Sequence, residues 1–341
     1  MWYNGLLDLS VMQLILVALG LTHITIISVT LYLHRHSAHN SLDLHPVLAH
    51  FFRFWLWLTT AQNTKQWTAI HRKHHAKCET EEDPHSPVVL GIRKVLLEGA
   101  ELYDEAGTPE TLERYGQRTP EDWVENNVYS RYKLLGIQLM AVIDLLLFGV
   151  HGIWIWAVQM MWIPVWAAGV VNGIGHFMGY RNFECSDNAR NISPWGILIG
   201  GEELHNNHHT YPNSSKLSRR WYEVDIGWGY IRPSPFFRLA NPKGFKPIAH
   251  YVPGKQEVDV ETVQAITNSR FDIMRQYRKR VMEPVLRQQK AVMDEEIRPR
   301  YRSLKRLLSR EVTLIKPKEK EHLEIALESN AVLRQIYEKS N

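Results

Sequence analysis

A chain of 341 residues can hold one large domain or two ordinary ones, and its net charge of +4 is too small and too dispersed to mark a nucleic-acid binder. Its two cysteines, Cys78 and Cys185, stand far apart and outside any CxxC pair, which argues against a disulfide framework, an iron–sulfur site or thiolate-bound zinc. Seventeen histidines are the anomaly, and most of them cluster.

Residues 1–180 hold the long apolar runs and most of the twelve tryptophans, whereas residues 255–341 are charged and poor in aromatics. The first run, about 11–33, has no charge until its end, and roughly 20 apolar residues suffice to cross a bilayer. A secretory signal needs a basic start and a cleavage site after a shorter apolar core, so a retained anchor is expected. Segment 46–61 is apolar but short, and carries His50 and Arg53. Segments 134–150 and 153–176, parted by His151 and Gly152, read as a transmembrane hairpin.

Charge predicts the orientation. Lys and Arg are absent from residues 1–34 and 148–153, but Arg35, Lys65, Arg72, Lys73, Lys77, Arg131, Lys133, Arg181 and Arg190 flank the other ends. The N-terminus and the hairpin turn therefore belong outside and the rest in the cytoplasm. If 46–61 also crossed, the histidines before and after it would face opposite sides. It reads as an interfacial helix, giving three spans, with four as the alternative. From Gln256 onward Ile273, Tyr277, Val281 and Val285 recur at helical spacing, broken by Pro284 and Pro299. The expected architecture is an all-α integral membrane protein: a membrane domain, 1–250, topped by a cytoplasmic helical cap with a histidine-rich metal site, and a charged helical region, 251–341, packed on it.

Three short boxes carry the chemistry: His34-Arg-His-Ser-Ala-His39, His71-Arg-Lys-His74-His75 and His205-Asn-Asn-His208-His209. On a helix, positions i, i+3 and i+4 fall within an arc of roughly 100°, so HxxHH aims three imidazoles at one point. The i, i+5 pair of box one diverges more and could embrace a site two metals wide. Structural zinc takes four ligands, often with cysteine, whereas imidazole also suits iron, copper and nickel. Soluble di-iron bundles rely on carboxylate-rich Glu-x-x-His pairs, whereas these three boxes are built of histidines. This many imidazoles point to two open metals, iron being favoured because such sites activate O₂.

These boxes resemble those of membrane fatty-acyl desaturases, in the stearoyl-CoA (delta-9 acyl-CoA) branch and of bacterial type. Box one is similar to that family's His-Arg-x-x-Ser-His, and Asp83-Pro84-His85 follows box two as it does there. The stretch from Asn172 through His176 to Arg181 is similar too, as is the run from Gly201-Glu202 to His209-Thr-Tyr-Pro212. The resemblance covers roughly residues 20–230. It implies two iron ions held by His34, His39, His71, His74, His75, His176, His205, His208 and His209, with Asn172 reaching a metal through water. His36 is skipped by that pattern, and His23, His45, His50, His151, His250 and His322 lie outside it. Asp83, His85 and Glu202 are expected to orient ligand imidazoles through hydrogen bonds.

The implied reaction removes two hydrogens from adjacent methylenes of a long-chain acyl substrate, with O₂ as co-substrate, leaving a cis double bond at the delta-9 position. The same scaffold could instead hydroxylate a fatty acid or decarboxylate it oxidatively to a terminal alkene; a metal-binding membrane protein without turnover is the remote alternative. HPGG, CxxC and GxGxxG stretches are absent, so electrons are expected from an external reductase through a ferredoxin-like or flavoprotein carrier. Animal acyl-CoA desaturases place Arg-Asp directly before box two, where this chain has Thr68-Ala69-Ile70. Head-group binding then falls to Lys65, Trp67 and Arg72, and coenzyme A, phospholipid, carrier protein and free acid remain open. A bacterial inner membrane is the expected location.

Overall fold

The computed structural model describes residues 3–243, 253–254, 256–290, 301–308, 310, 315 and 317–338. The chain divides into two compact units, Met1–Tyr180 with Asp187–Lys246, and Arg181–Ser186 with Pro247–Asn341. The expected junction at 250/251 lies outside the described residues.

In the first unit α1 (Val11–Ile27) opens on a capping box: Gln13 N donates to Ser10 Oγ and Ser10 N to Gln13 Oε1, worth about 1 kcal/mol. The helix does not stop at Leu33. It continues as wide turns over Ser28–Ala38, making one rod of 28 residues. Apolarity ends at Leu33 but helicity does not, because the polar side chains beyond mid-rod find partners across the core. Thr30 Oγ1 donates to Glu202 Oε1 at 2.6 Å and Arg35 Nη2 to Asp225 Oδ1 at 2.9 Å. Box one therefore lies within and at the end of the helix.

A short strand, β1 (Leu42–Leu44), leads into α2 (Pro46–Thr60), the segment expected at the interface. Its charge is neutralised within the fold: Arg53 donates to both oxygens of Asp122, at 2.6 and 3.2 Å, and to Glu125 at 2.9 Å. The Arg53 hydrogen bonds pull the Asp122 carboxyl down to about 2. Next come α3 (Thr64–Lys77) and four short helices: α4 (Pro87–Leu90), α5 (Ile92–Leu97), α6 (Gly99–Ala106) and α7 (Pro109–Tyr115).

The hairpin is α8 (Lys133–Phe148) and α9 (His151–Ile163), the latter extended by wide turns over Pro164–Ile174 into a 24-residue rod. The turn is tighter than expected, since His151 and Gly152 are already helical. Gly149, at φ +60°, takes the left-handed backbone that permits it. Inside the hairpin Gln159 Nε2 donates to the buried Asp144 Oδ2 at 2.8 Å, so the lone acid of α8 is partnered. Among the described residues two helices, Val11–Ala38 and His151–Ile174, are long and apolar enough to cross a membrane; α8, with 16 residues, is shorter.

After the hairpin come β2 (Trp195–Gly196), α10 (His205–Thr210), β3 (Val224–Asp225), α11 (Ile226–Ile231) and β4 (Ala240–Pro242). β1 pairs antiparallel with β4 and β2 parallel with β3. The chain is thus mostly helical rather than all-α, and the two short pairs pin the loops around α10 and α11. The core gathers Val29, Leu33, Phe52, Leu56, Ile163 and Ile231.

The second unit has its own core of Met282, Leu286, Leu304, Leu307, Leu323 and Leu333. Helix α12 (Val260–Tyr277) passes through wide turns at Arg278–Met282 directly into α13 (Glu283–Gln289). Pro284 therefore does not break the helix as expected; the wide turn before it absorbs the missing N–H. Pro299 and His250 lie outside the described residues. Helices α14 (Tyr301–Leu307), α15 (Pro317–Ser329) and α16 (Ala331–Glu338) complete the unit, and His322 sits on α15.

Candidate metal centre

The eight box histidines other than His36 come together with His176 at one end of the two rods. His34, His39, His71 and His208 have ligand atoms within 4.8 Å of one another, and so do His74, His176, His205 and His209. His75 belongs to both neighbourhoods: it groups with His208 and His209, and its Nε2 lies 2.9 Å from His208 Nε2.

The division corrects two expectations. His34 and His39 do not embrace two sites; they join one group, their rings 4.8 Å apart. The wide turns are the reason. His39 N donates to His34 O at 3.0 Å, an i→i+5 bond that stacks those positions on one face. Nor does HxxHH aim at one point. Box two sends His71 to the first group and His74 to the second, and box three sends His208 to the first and His205 and His209 to the second. Boxes two and three each straddle the two groups, so neither group survives loss of α3 or α10.

Nitrogen chemistry shows what these rings suit. Nε2 faces Nε2 at 3.1 Å between His34 and His208, 2.8 Å between His39 and His71, and 3.0 Å between His176 and His205. On the far side four of the Nδ1 atoms meet carboxylates. His74 Nδ1 donates to Asp83 Oδ1 and His209 Nδ1 to Asp187 Oδ2, both at 2.9 Å, while His34 Nδ1 lies 2.9 Å from Glu202 Oε1 and His176 Nδ1 3.5 Å from Glu79 Oε1. With the proton fixed on Nδ1, the Nε2 atoms of His74 and His209 present a lone pair inward. The buried Nε2 atoms of His74 and His209 have no hydrogen-bond partner among the described residues. Converging, desolvated lone pairs of this kind fit two cations.

Electrostatics agrees. Burial, reinforced by mutual repulsion, holds His39, His71, His75, His205, His208 and His209 well below the usual histidine range, so the rings are neutral at neutral pH, the form in which imidazole can bind a metal. Burial alone would raise the Asp83 and Glu202 carboxyls, but His74 and His34 beside them hold both below the ordinary range and ionised. Gly175 makes room for the His205 ring, because a Cβ there would lie 2.9 Å from His205 Cδ2.

Asn172 is buried one helical turn before His176 and lines a cavity that also reaches His34, His71, His205 and Glu202. The cavity holds about 450 Å³, within the range of small-molecule sites, ~300–1,000 Å³. Ile137, Trp156, Met160, Ile163 and Val171 make its walls apolar, and Gln62, Gln66, Asp104 and Lys133 mark a polar end.

Other expected residues sort differently. Trp67 stacks on His71, centroids 4.8 Å apart, and lines the cavity. Arg72 is not available to a head group: it donates to the carbonyls of Ser37, Ala38, Tyr115 and Gln117. Lys65 pairs with Glu121 at 2.8 Å outside the cavity lining. His85 does not orient a ligand by hydrogen bonding, as neither ring nitrogen has a partner among the described residues; it is sandwiched between His74 at 4.3 Å and Tyr103 at 5.5 Å. His36 donates to or accepts nothing from the ligand rings and pairs with Leu42 O at 2.8 Å. Glu202 stands behind His34 as expected, whereas Glu79, Asp187 and the Asp225–Arg35–Thr30 chain that holds Glu202 carry no mark in the sequence. No local spacing marks them, since Asp187 sits 22 residues before its histidine.

Residues 10–235 match the family model for fatty acid desaturase. The chain belongs to the fatty acid desaturase family. It is 30% identical over 210 residues to a probable chloroplastic lipid desaturase of Arabidopsis thaliana, covering 60% of this chain and 56% of that one. It is 27% identical over 226 residues to delta-9 acyl-lipid desaturase 1 of the same plant, covering 63% and 70%. It is 28% identical over 223 residues to acyl-CoA 5-desaturase AL21 of Anemone leveillei, covering 62% and 65%. The alignment thus spans little more than half of the first relative, and the family match ends at residue 235, ahead of the Pro247–Asn341 part of the second unit.

Proposed function

We propose that this chain is an O₂-dependent membrane desaturase that removes two hydrogens from adjacent methylenes of a long-chain acyl substrate and leaves a cis double bond at the delta-9 position. The observation that carries the reading is the placement of two histidine groups on the wall of an apolar cavity of about 450 Å³. His34, His39, His71 and His208 would hold one iron, and His74, His176, His205 and His209 the other, with His75 beside both and Asn172 acting through water. Bound iron supplies O₂ activation and abstraction of an unactivated hydrogen. The chain's own share is positioning: Ile163, Trp156 and Val171 keep the acyl chain dry and hold it against the ligands. The two electrons come from a separate reductase through a ferredoxin-like or flavoprotein carrier.

The substrate is a lipid-linked acyl chain in this reading. Ala69 and Ile70, at the positions of the Arg-Asp pair of animal acyl-CoA enzymes, are completely buried and offer coenzyme A nothing. The polar end of the cavity, with Gln62, Gln66, Asp104 and Lys133, receives the ester instead. The rods and α8 are spans in a bacterial inner membrane, with the N-terminus outside and the histidines in the cytoplasm.

The test is the fatty-acid profile of an expressing host, with headspace hydrocarbons collected and His71→Ala as control. New cis-monoenes in the lipid fraction are expected. Hydroxy acids or terminal alkenes would move the reading to the hydroxylase or decarboxylase outcome, and an unchanged profile from iron-loaded protein with a working reductase would overturn it.

A further inference from the structure

Residues 230–239 turn outward an aromatic surface that neither the histidine groups nor the cavity uses. Phe236 is 86% exposed and Phe237 63%, Tyr230 and Leu239 are exposed as well, and so are Arg232 and Arg238. The segment is held firmly from behind. Ile231 is buried in the core, Ser234 Oγ donates to Ile231 O at 2.6 Å, and His45 N donates to Leu239 O at 2.8 Å before the β1–β4 pair closes the loop.

Its height along the rods decides what it meets. Tyr230 Oη lies 2.7 Å from Nε2 of His23, which stands about 18 Å along its rod from Val11 at ~1.5 Å per residue. Leu198 is held at a comparable level on the other rod: its carbonyl accepts from Trp162 Nε1 at 3.1 Å, and Trp162 stands about 17 Å along from His151 by the same rise. The two rods start level, because Val150 N donates to Tyr3 O and Leu7 N to Leu147 O at the hairpin end. A hydrocarbon core of ~30 Å laid from that end covers both points.

We infer that residues 230–239 form a foot in the leaflet nearer the histidines, with Phe236, Phe237 and Leu239 among the acyl chains and Arg232 and Arg238 on phospholipid phosphates. The inference rests on the reading that both rods span the bilayer. The phenylalanine pair lies on the path from Tyr230 in that band to Leu239 at His45, past the rod's end. There the ring pair meets acyl chains, a tyrosine suits the boundary, and arginine stems are long enough to carry their charge up to the phosphates. His45, whose N donates to Leu239 O, leads into α2, where Val47 and Phe51 are exposed as well.

The full chain in phospholipid nanodiscs tests this, with a nitroxide at Phe237→Cys and controls at Leu139→Cys on α8 and Glu113→Cys on α7. The unsubstituted chain measures background from Cys78 and Cys185. Collision with dissolved oxygen is expected to exceed collision with a water-soluble nickel chelate several-fold at 237 and 139, with the reverse at 113. Nickel dominance at 237 alone overturns the foot and leaves the spans standing. Nickel dominance at both 237 and 139 overturns the spanning reading and the foot with it. A photo-reactive phenylalanine at 236 should yield phospholipid adducts in native membranes, and a polypeptide adduct there would overturn the lipid assignment.

Discussion

Replacing Asp83 by asparagine tests whether carboxylates behind the histidines set metal affinity, and whether the two groups are separate sites. Asp83 Oδ1 accepts from His74 Nδ1 at 2.9 Å and from His85 N at 3.2 Å, and Oδ2 accepts from Glu79 N at 2.7 Å. The isosteric amide keeps the shape but can accept on one side only. If its oxygen stays on His74, a charge-assisted bond of ~1.5–3 kcal/mol becomes a neutral one of ~0.5–1.5 kcal/mol. The difference, about 1–1.5 kcal/mol, corresponds to roughly a five- to fifteen-fold loss of affinity. If the amide nitrogen turns toward His74 instead, Nδ1 must become the acceptor and the proton moves to Nε2, where a metal would bind. The loss is then larger, toward the hundredfold end of the ~10–100-fold range for such changes.

His74 belongs to one group and His34, backed by Glu202, to the other, so the effect should fall on one metal of two. The assay is chelator titration of iron-loaded protein in nanodiscs, with metal content read at each step. Wild-type protein should release both ions at similar chelator concentrations. Asp83→Asn should release one ion early and hold the second, Asp187→Asn should do the same through His209, and Glu202→Gln should release the other ion. Unchanged titration in all three, or loss of both ions from a still-folded Asp83→Asn protein, would refute the two-group reading.

Purified iron-replete protein is expected to hold close to two metals per chain by elemental analysis, without sulfur ligation by X-ray absorption. Alanine at His71, His74, His75, His205, His208 or His209 should abolish turnover, whereas His36→Ala and His322→Ala should leave it within about twofold, as expected away from such features; activity of membranes checks this. The metal-free chain should lose stability on acidification: the folded pKa of six ligand histidines lies below 6.5, so the unfolded chain alone takes up protons as pH falls through that value. Denaturant midpoints between pH 8 and pH 5 should be flat at the upper end and fall toward the lower, and a rise would contradict neutral buried rings. Matched acyl chains presented on phospholipid, coenzyme A and free acid should be used in that order, with Lys133→Ala lowering apparent affinity for the first; a preference for acyl-CoA untouched by Lys133→Ala would refute the lipid-linked assignment.

The helices were legible because apolar runs and charge gaps are local signals. Segments 46–61 and 134–150 begin and end within a residue or two of α2 and α8. The rod from Val11 outran its apolar run because its polar half is paid for by partners far away in the chain, such as Asp225 for Arg35. The short helices between His85 and Tyr115 were not resolved from the sequence, since none is long enough to show a period. In the site, the nine histidines were legible from box spacing and from the resemblance that supplied His176. Their sorting into groups was not, because it depends on helix winding and on how α3 and α10 face each other.

Winding is the physical link between membrane segment and site. Ordinary α-turns would put residues five apart about 140° apart, given ~100° per residue, and would send the His34 and His39 rings to different sides of the rod. The i→i+5 bond from His39 N to His34 O removes that divergence, and Pro164 opens a second wide-turn stretch that carries Asn172 toward the same place. Such turns cost backbone energy and persist where packing over-determines them. Here Arg35, one residue past His34, supplies the packing: its guanidinium is buried, ion-paired to Asp225 and bonded to Thr30, which in turn donates to the carboxylate behind His34. The residue that locks the wide turn and the residue that fixes the His34 proton are therefore joined in one buried chain. A substitution that frees Arg35, such as Asp225→Asn, should disturb His34 and His39 together while leaving His74 and His209 in place.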